Sequence, residues 1–452
     1  MHMPGHKRNA EFYMENPYKI DVTEVEDTDN LHHPEGVIQD LIQQMQTLYH
    51  TKNTYPLVGG STCGILAAIS ACCRRGDRIL MARNCHRSVY HAVYLLELEP
   101  VYLYPEMEES TGIALGISEK EVERVLQESE DFSCVLITSP TYEGVVSEVR
   151  VIADIVHKKE IPLIVDAAHG AHLHWSQGNH IAATACGADL VIESLHKTLP
   201  CFTQTGVLHR CTERVSPELL ERYLAIYETS SPSYILMAGI AQCMDWLENK
   251  GREAFSEYEK QRRLFGEQAK NWKVLSLWEL PQQESSKLVI LTGNSGKTGQ
   301  QLAEQLRKEY RIETEMSTPT YVLAMTSVAD TKEGWKRLAK ALSEIDERWN
   351  EEKQTAISMP KQVPVSRAKI EMGSYEAMNH SFEEISLESA IGRISAEYAF
   401  IYPPGIPFLV PGERIEEHTL LQIKTAQECN LELLGLADCT VKKIRVCTEK
   451  GK

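Results

Sequence analysis

Two polar residues standing just beyond apolar runs are the first in this chain whose types and spacing suggest chemistry. Pro162-Leu163-Ile164-Val165 ends in Asp166 and is followed by Ala167-Ala168-His169; the next apolar run, Asp189 to Glu193, leads into Ser194-Leu195-His196-Lys197-Thr198. A carboxylate at a strand end can pair with a protonated ring nitrogen and keep a pyridinium electron-poor, as an electron-sink cofactor requires. A lysine flanked by hydroxyl and imidazole can form an imine with an aldehyde. Upstream, Val58-Gly59-Gly60-Ser61-Thr62-Cys63-Gly64 precedes the apolar segment Ile65 to Cys72. Glycines and hydroxyls opening a helix make a phosphate cradle from free backbone N–H groups and the helix dipole.

The elements that must position these groups follow from hydrophobic period. Short apolar runs recur at Arg78–Met81, Pro100–Tyr104, Cys134–Ile137, Pro162–Val165 and Ala188–Ile192. Between them, segments such as Ser118–Glu128 and Val149–Lys159 read as amphipathic helices. Strands alternating with helices predict an α/β fold with a mostly parallel sheet covered on both faces, whose ligands bind at the carboxyl ends of the strands. A long helical stretch from about Ile240 to Gln268 leads to a smaller α/β region, with a strand near Lys287–Leu291, a helix from about Thr298 to Tyr310 and a strand near Tyr321–Met325. Asn350 to Val365, with Pro360 and Pro364, reads as a linker. The expected division is 1–54 as an N-terminal arm, 55–245 as the large cofactor domain, 246–355 as a small α/β domain and 356–452 as a C-terminal domain.

The 452 residues allow two or three domains, and 42% hydrophobic with 25% charged residues is ordinary for a globular protein. A formal net charge of −17 argues against nucleic acid as a partner. No run is long and apolar enough for a membrane span, and Met1 to Arg8 lacks the apolar stretch of a signal peptide. The 12 cysteines are scattered without a Cys-x-x-Cys, which predicts no metal site, no disulfide framework and a reducing, cytoplasmic setting.

Each chemical element alone is commonplace, since Gly-Gly-Ser-Thr is often a plain cap and most lysines are solvated. A phosphate cup, then a strand-end Asp, then a strand-end Lys is the arrangement of enzymes dependent on pyridoxal 5'-phosphate (PLP) with the aspartate-aminotransferase fold. The chain further resembles the bacterial Orn/Lys/Arg decarboxylases almost end to end. The resemblance is carried by Met3-Pro4-Gly5-His6-Lys7-Arg8, Asp21-Val22-Thr23-Glu24, Asp29-Asn30-Leu31-His32-His33-Pro34-Glu35-Gly36 and Arg83-Asn84-Cys85-His86-Arg87-Ser88. It continues through Ser139-Pro140-Thr141-Tyr142-Glu143-Gly144, Asp166-Ala167-Ala168-His169-Gly170 and Ser194-Leu195-His196-Lys197-Thr198-Leu199. It closes with Thr229-Ser230-Ser231-Pro232-Ser233-Tyr234, Gly392-Arg393-Ile394-Ser395-Ala396-Glu397, Tyr402-Pro403-Pro404-Gly405-Ile406-Pro407 and Pro411-Gly412-Glu413.

That resemblance implies a fold type I PLP enzyme decarboxylating a basic amino acid (lysine, arginine or ornithine), in the service of polyamine supply or acid resistance. Lys197 would hold the cofactor as a Schiff base, His86 would stack on its ring and Asp166 would pair with the ring nitrogen. Ser61, Thr62 and Ser194 would bind the phosphate, with His169 and His196 against the cofactor and His196 or Lys197 reprotonating Cα. It also implies a homodimer with the site at the interface, where Thr229, Ser230 and Ser231 of the second chain reach the phosphate. Relatives usually carry a short helical segment before the Met-Pro-Gly-His-Lys motif, and larger ones an extra N-terminal domain. Here the chain begins almost on the motif, so their large rings are not expected.

The distal cation of the substrate is expected to meet Asp21, Glu24, Asp29, Glu35 or Glu413, carboxylates clustered within these motifs. Rival readings are another reaction on the same fold (transamination, with Arg393 or Arg414 clamping a carboxylate, aldol cleavage or β-elimination) and a non-catalytic PLP-binding protein. Thr292-Gly293-Asn294-Ser295-Gly296-Lys297-Thr298 lacks the first glycine of a P-loop and reads as a strand-to-helix turn. His169 to His174 lacks metal-site spacing, and the tryptophans and tyrosines read as packing.

Overall fold

A computed structural model describes residues 1–452 except 15, 177–179, 353–366, 368, 403–404, 429–430 and 449–452. The expected linker prolines Pro360 and Pro364, and Pro403-Pro404 of the C-terminal motif, lie outside the described residues.

The apolar runs form one seven-stranded sheet built from β1 (Asn53–Leu57), β2 (Arg78–Ala82), β3 (Glu99–Leu103), β4 (Phe132–Thr138), β5 (Leu163–Asp166), β6 (Leu190–Glu193) and β7 (Gly206–Arg210). Its order is β1-β7-β6-β5-β4-β2-β3, parallel from β6 to β3, with β7 antiparallel to both its neighbours. Strands β5, β6 and β7 are buried along their whole length, which explains why they read as continuous apolar runs rather than as alternating ones. Helices Gly60–Cys72, Arg87–Leu95, Glu119–Glu128, Val149–His157 and Pro217–Tyr227 join or flank these strands. The helix after the glycine pair begins earlier than its apolar part, because Gly60, at φ +81°, turns the chain directly into it.

The long helical stretch spans Tyr234–Trp246 and Arg252–Ala269, joined by a π-helical turn at Leu247–Gly251. A second, antiparallel sheet follows from β8 (Ser276–Trp278), β9 (Lys287–Leu291), β10 (Met316–Ser317) and β11 (Tyr321–Met325), ordered β10-β11-β9-β8. The turn after β9 leads into the helix Gly299–Tyr310, whose start is fixed by a capping box between Thr298 and Gln301. The C-terminal part holds β12 (Phe382–Ser386) paired with β16 (Lys443–Cys447), and the small sheet β14 (Ile406–Leu409), β13 (Ala399–Ile401), β15 (Leu433–Leu434). Among the described residues no helix is long and apolar enough to cross a membrane.

A hydrophobic core surrounds the large sheet, and a second joins the long helices, β9, β11 and the helix Lys332–Glu351 to Leu195 and Leu199 beside Lys197. That second core couples the small sheet to the turn that carries the lysine. The arm is stitched to the same place by hydrogen bonds. Gly5 N–H donates to the His196 carbonyl at 2.7 Å, while Met3 N–H donates to Glu315 and Lys7 Nζ to the Met325 carbonyl, each at 2.9 Å. A Cβ at Gly5 would run into the Leu199 carbonyl, so only glycine permits this approach.

Candidate active site

Four neighbouring parallel strands, β6, β5, β4 and β2, deliver their carboxyl ends to one place. Lys197 follows β6, Asp166 ends β5, Tyr142 follows β4 and His86 follows β2. Register confirms the adjacency, because Asp166 pairs with Thr138 on one side and Ile192 on the other.

Lys197 Nζ lies 3.0 Å from His169 Nε2. Burial lowers the lysine to about 8, against the opposing pull of the Asp166 carboxylate. With Lys197 donating to Nε2, the His169 ring proton sits on Nδ1, a buried atom that has no partner. Asp166 is 2% exposed and accepts from the Ala168 N–H at 3.1 Å; burial raises its pKa even with Lys197 nearby.

His86 caps the helix Arg87–Leu95, with Nδ1 2.8 Å from the Ser88 hydroxyl and accepting from the Ser88 N–H at 3.3 Å. Burial, and then the positive charge of Lys197, lowers it to about 3, so the ring is neutral at physiological pH. His196 is likewise lowered to about 4, first by burial. Its Nδ1 lies 2.8 Å from the Thr205 carbonyl, which fixes the proton there and leaves Nε2 an acceptor.

Ser61 and Ser194 meet at 2.6 Å between hydroxyls, both buried, at the start of the helix Gly60–Cys72. No side chain caps that helix, so its first N–H groups keep their anion-binding capacity. A Cβ at Gly206 would come 3.1 Å from the Ser61 hydroxyl, so the cradle is shaped by the absence of a side chain there. Thr62 is exposed at the same helix start. Thr229, Ser230 and Ser231 are also exposed, and the Thr229 carbonyl lies 3.0 Å from His32 Nε2. The structure thus brings Ser61, Asp166, His169, Ser194, His196, Lys197 and His86 to one region, with Thr229 to Ser231 exposed directly after Glu228.

Two of the carboxylates expected to meet a substrate cation are bound by donors of the chain itself. The Asp29 carboxylate accepts from the backbone N–H groups of Glu35 at 2.9 Å, Gly36 at 2.8 Å and Ile38 at 2.9 Å, tying down the helix Val37–Tyr49. Partial burial opposes its ionisation, but these N–H groups outweigh it and hold the carboxyl down at about 2. Glu413 is 1% exposed and faces Arg83 at 3.2 Å, while accepting from the Val410 N–H at 2.9 Å. Arg83 also donates to the Pro407 carbonyl and to the Tyr90 hydroxyl, so the pair fastens the C-terminal motif to the loop carrying His86. Gly405 of that motif sits against His86, an added Cβ lying 3.9 Å from its ring. Arg393 and Arg414 are held by Glu383 and Glu371 within the C-terminal part.

Three features escaped sequence reasoning. The Tyr142 ring meets the His169 ring edge-on at 4.8 Å, and its hydroxyl donates to Glu315 at 2.7 Å. The Glu228 carboxylate accepts from Gly59 N–H at 2.8 Å, just before the helix Gly60–Cys72. The histidines of the His169–His174 run diverge to three partners: His169 to Lys197, His172 to Glu284 at 2.8 Å and His174 to Glu193 at 3.0 Å. No metal was expected, yet the ligand atoms of His174, Glu193 and His209 lie within 4.8 Å of one another. A motif spanning position 142 was legible, but nothing local marks Tyr142, Glu228 or Glu193 as partners of residues so distant in sequence.

The large, mostly parallel sheet with its helices has the fold type I architecture. The lysine decarboxylase of Francisella novicida superposes with a TM-score of 0.83 at 19% identity, covering 98% of this chain and 77% of that one. An alanine–glyoxylate aminotransferase from Nostoc superposes at 0.57 and 15% identity, over 71% of this chain and 89% of the other. Residues 2–294 match the family model for the major domain of Orn/Lys/Arg decarboxylases, and residues 352–440 match that for their C-terminal domain. The chain belongs to the Orn/Lys/Arg decarboxylase family, a family of amino-acid decarboxylases. The arginine decarboxylase of Bacillus subtilis is 30% identical over 468 residues, spanning 99% of this chain and 94% of that protein.

Proposed function

We infer that the protein is a PLP-dependent decarboxylase of a basic amino acid, acting as a homodimer, with Lys197 holding the cofactor as a Schiff base. The observation that carries this reading is the convergence of Lys197, Asp166, His86 and the Ser61–Ser194 cradle at adjacent strand ends. The residues fit PLP: His169 Nδ1 is a buried atom awaiting a partner, and Asp166 keeps acceptor capacity beyond its one backbone donor. Bound there, PLP supplies an electron sink for the electron pair left on Cα when the carboxylate departs as CO2.

The chain's own residues do the rest. Asp166 holds a proton on the ring nitrogen, and its raised pKa falls again once that cation is beside it. A neutral His86 offers a flat, uncharged face to the ring. Ser61, Thr62, Ser194 and the helix N–H groups hold the phosphate. Lys197 is the better candidate to return a proton to Cα, because the ring proton of His196 is committed to the Thr205 carbonyl. His196 then serves to seat the cofactor and the substrate. Thr229 and Ser230, exposed on this chain, serve the phosphate site of the second copy.

Arginine is favoured as substrate by the curated relatives named arginine decarboxylase, which match nearly end to end. Transamination is disfavoured because Arg393 and Arg414 are both held in ion pairs, with Glu383 and Glu371.

The test incubates the protein with PLP and, separately, arginine, lysine and ornithine, following CO2 and amine. Release of CO2 with agmatine, cadaverine or putrescine, lost in Lys197→Ala, is the expected result. Covalent capture of PLP without CO2 from any of the three overturns the reaction while leaving the cofactor.

A further inference from the structure

Asp29 and Glu413 are both bound by the chain's own donors, and Asp21 and Glu35 are exposed on the arm, whereas a more enclosed group of carboxylates lies elsewhere. A cavity of about 700 Å³ opens where the loop after β4 meets the small sheet and the C-terminal motif, a size suited to a small-molecule site. Its walls carry five carboxylates, Glu143, Glu304, Glu313, Glu315 and Glu432, against one cation, Arg307.

One of the five, Glu315, is tied to the lysine by a continuous chain of contacts, and a second, Glu143, adjoins that chain in sequence. Lys197 touches His169 at 3.0 Å, the His169 ring meets Tyr142 at 4.8 Å, and the Tyr142 hydroxyl donates to Glu315 at 2.7 Å. Glu143, next in sequence to Tyr142, accepts from the Tyr321 hydroxyl at 2.9 Å. Glu315 also accepts from the Met3 N–H at 2.9 Å, so the Met-Pro-Gly-His-Lys motif helps to aim it. An ionised carboxylate offers about four acceptor positions, so both groups retain capacity after these bonds. Glu143 is costly to keep ionised where it is, since burial raises its pKa despite the Tyr321 hydroxyl. A cation arriving at this wall offsets that cost.

We propose that Glu315 and Glu143, which both line this cavity, bind the distal cation of the substrate side chain and determine its selection. Two carboxylates suit a planar guanidinium better than an ammonium, because its five N–H donors can be divided between them. The proposal rests on the reading of Lys197 as the reacting centre, and it extends that reading to arginine as the preferred side chain.

The test measures binding to the PLP-loaded protein of three amines without a carboxylate: agmatine, cadaverine and n-pentylamine, the last lacking a distal cation. Wild type is expected to bind agmatine tightest and n-pentylamine weakest. In Glu315→Gln, an isosteric change whose one amide oxygen can accept from Met3 N–H while its amide N–H donates to the Tyr142 hydroxyl, the preference for agmatine over n-pentylamine falls by about tenfold or more, as for a lost charge-assisted bond. Glu143→Gln gives a smaller fall, and Glu304→Gln, remote from Tyr142 on the helix Gly299–Tyr310, gives none. With substrate, Glu315→Gln raises KM for arginine more than it lowers kcat. Retention of the agmatine preference in both Glu315→Gln and Glu143→Gln overturns the proposal. Failure of the wild type to gain a visible absorbance with PLP instead overturns the reading of Lys197, so the two failures are distinct. If Glu315→Gln does not fold, the Glu143→Gln comparison decides.

Discussion

The Lys197 amine faces a histidine, His169, at 3.0 Å rather than a carboxylate. A neutral imidazole gives a buried ammonium little compensation, and burial accordingly brings the lysine to about 8. The amine is thereby partly unprotonated near neutral pH, the form in which it can attack an aldehyde.

The capture of PLP by cofactor-free protein should therefore rise with pH with a half-point near 8 rather than near the ordinary lysine value of 10.5. Asp166 raises the lysine, so Asp166→Asn should move that half-point lower. Stopped-flow absorbance against pH checks both. The linkage has the matching sign. Between about 8 and 10.5 the unfolded chain binds more protons than the folded one, so this lysine's contribution to cofactor-free stability improves as pH rises.

Ser61→Ala and Ser194→Ala should each weaken PLP retention, and the double variant should cost less than the sum of the two. Their hydroxyls touch at 2.6 Å and act as one unit. Dialysis equilibrium of PLP, with and without competing inorganic phosphate, measures this.

Asp29→Ala should lower stability by about 0.5–2 kcal/mol, the usual cost of a lost helix cap, with KM for basic amino acids unchanged in the folded protein. Glu413→Gln leaves the Arg83 guanidinium buried without a counter-charge and should cost more, about 3–5 kcal/mol. Denaturant melts combined with KM measurements separate these structural roles from a substrate contact. A raised KM with unchanged stability would return either residue to the substrate site.

Gly5→Ala should be strongly destabilising although the residue lies near the chain terminus, because its Cβ meets the Leu199 backbone rather than a movable side chain. A melting temperature within a degree of wild type would contradict the tight seam between the arm and the lysine turn.

Much of this was readable from the chain. The strands Lys287–Leu291 and Tyr321–Met325 emerged at their expected bounds because each is a short apolar run flanked by turn formers. Asp166 and Lys197 were legible for the same reason: a polar residue that ends a fully buried strand is placed by the strand itself. The carboxylates were not. Asp29 looks like any acidic residue of a motif, and only the fold shows it capping a helix ten residues away. Glu315 carries no local mark at all; it acquires a role when Tyr142, distant in sequence, reaches it across two sheets. Periodicity encodes which face is buried, whereas these contacts depend on how separately encoded elements are docked.

The arm gives the molecule a tie-rod. A single segment of nine residues is pinned at both ends to the small sheet and the loop after it, through Met325 and Ala329, and at its middle to the His196 carbonyl. Any rocking of the small sheet against the large one is therefore transmitted to the backbone immediately beside the reactive amine. The position of Glu315 and the aim of Lys197 are thereby set by the same nine residues.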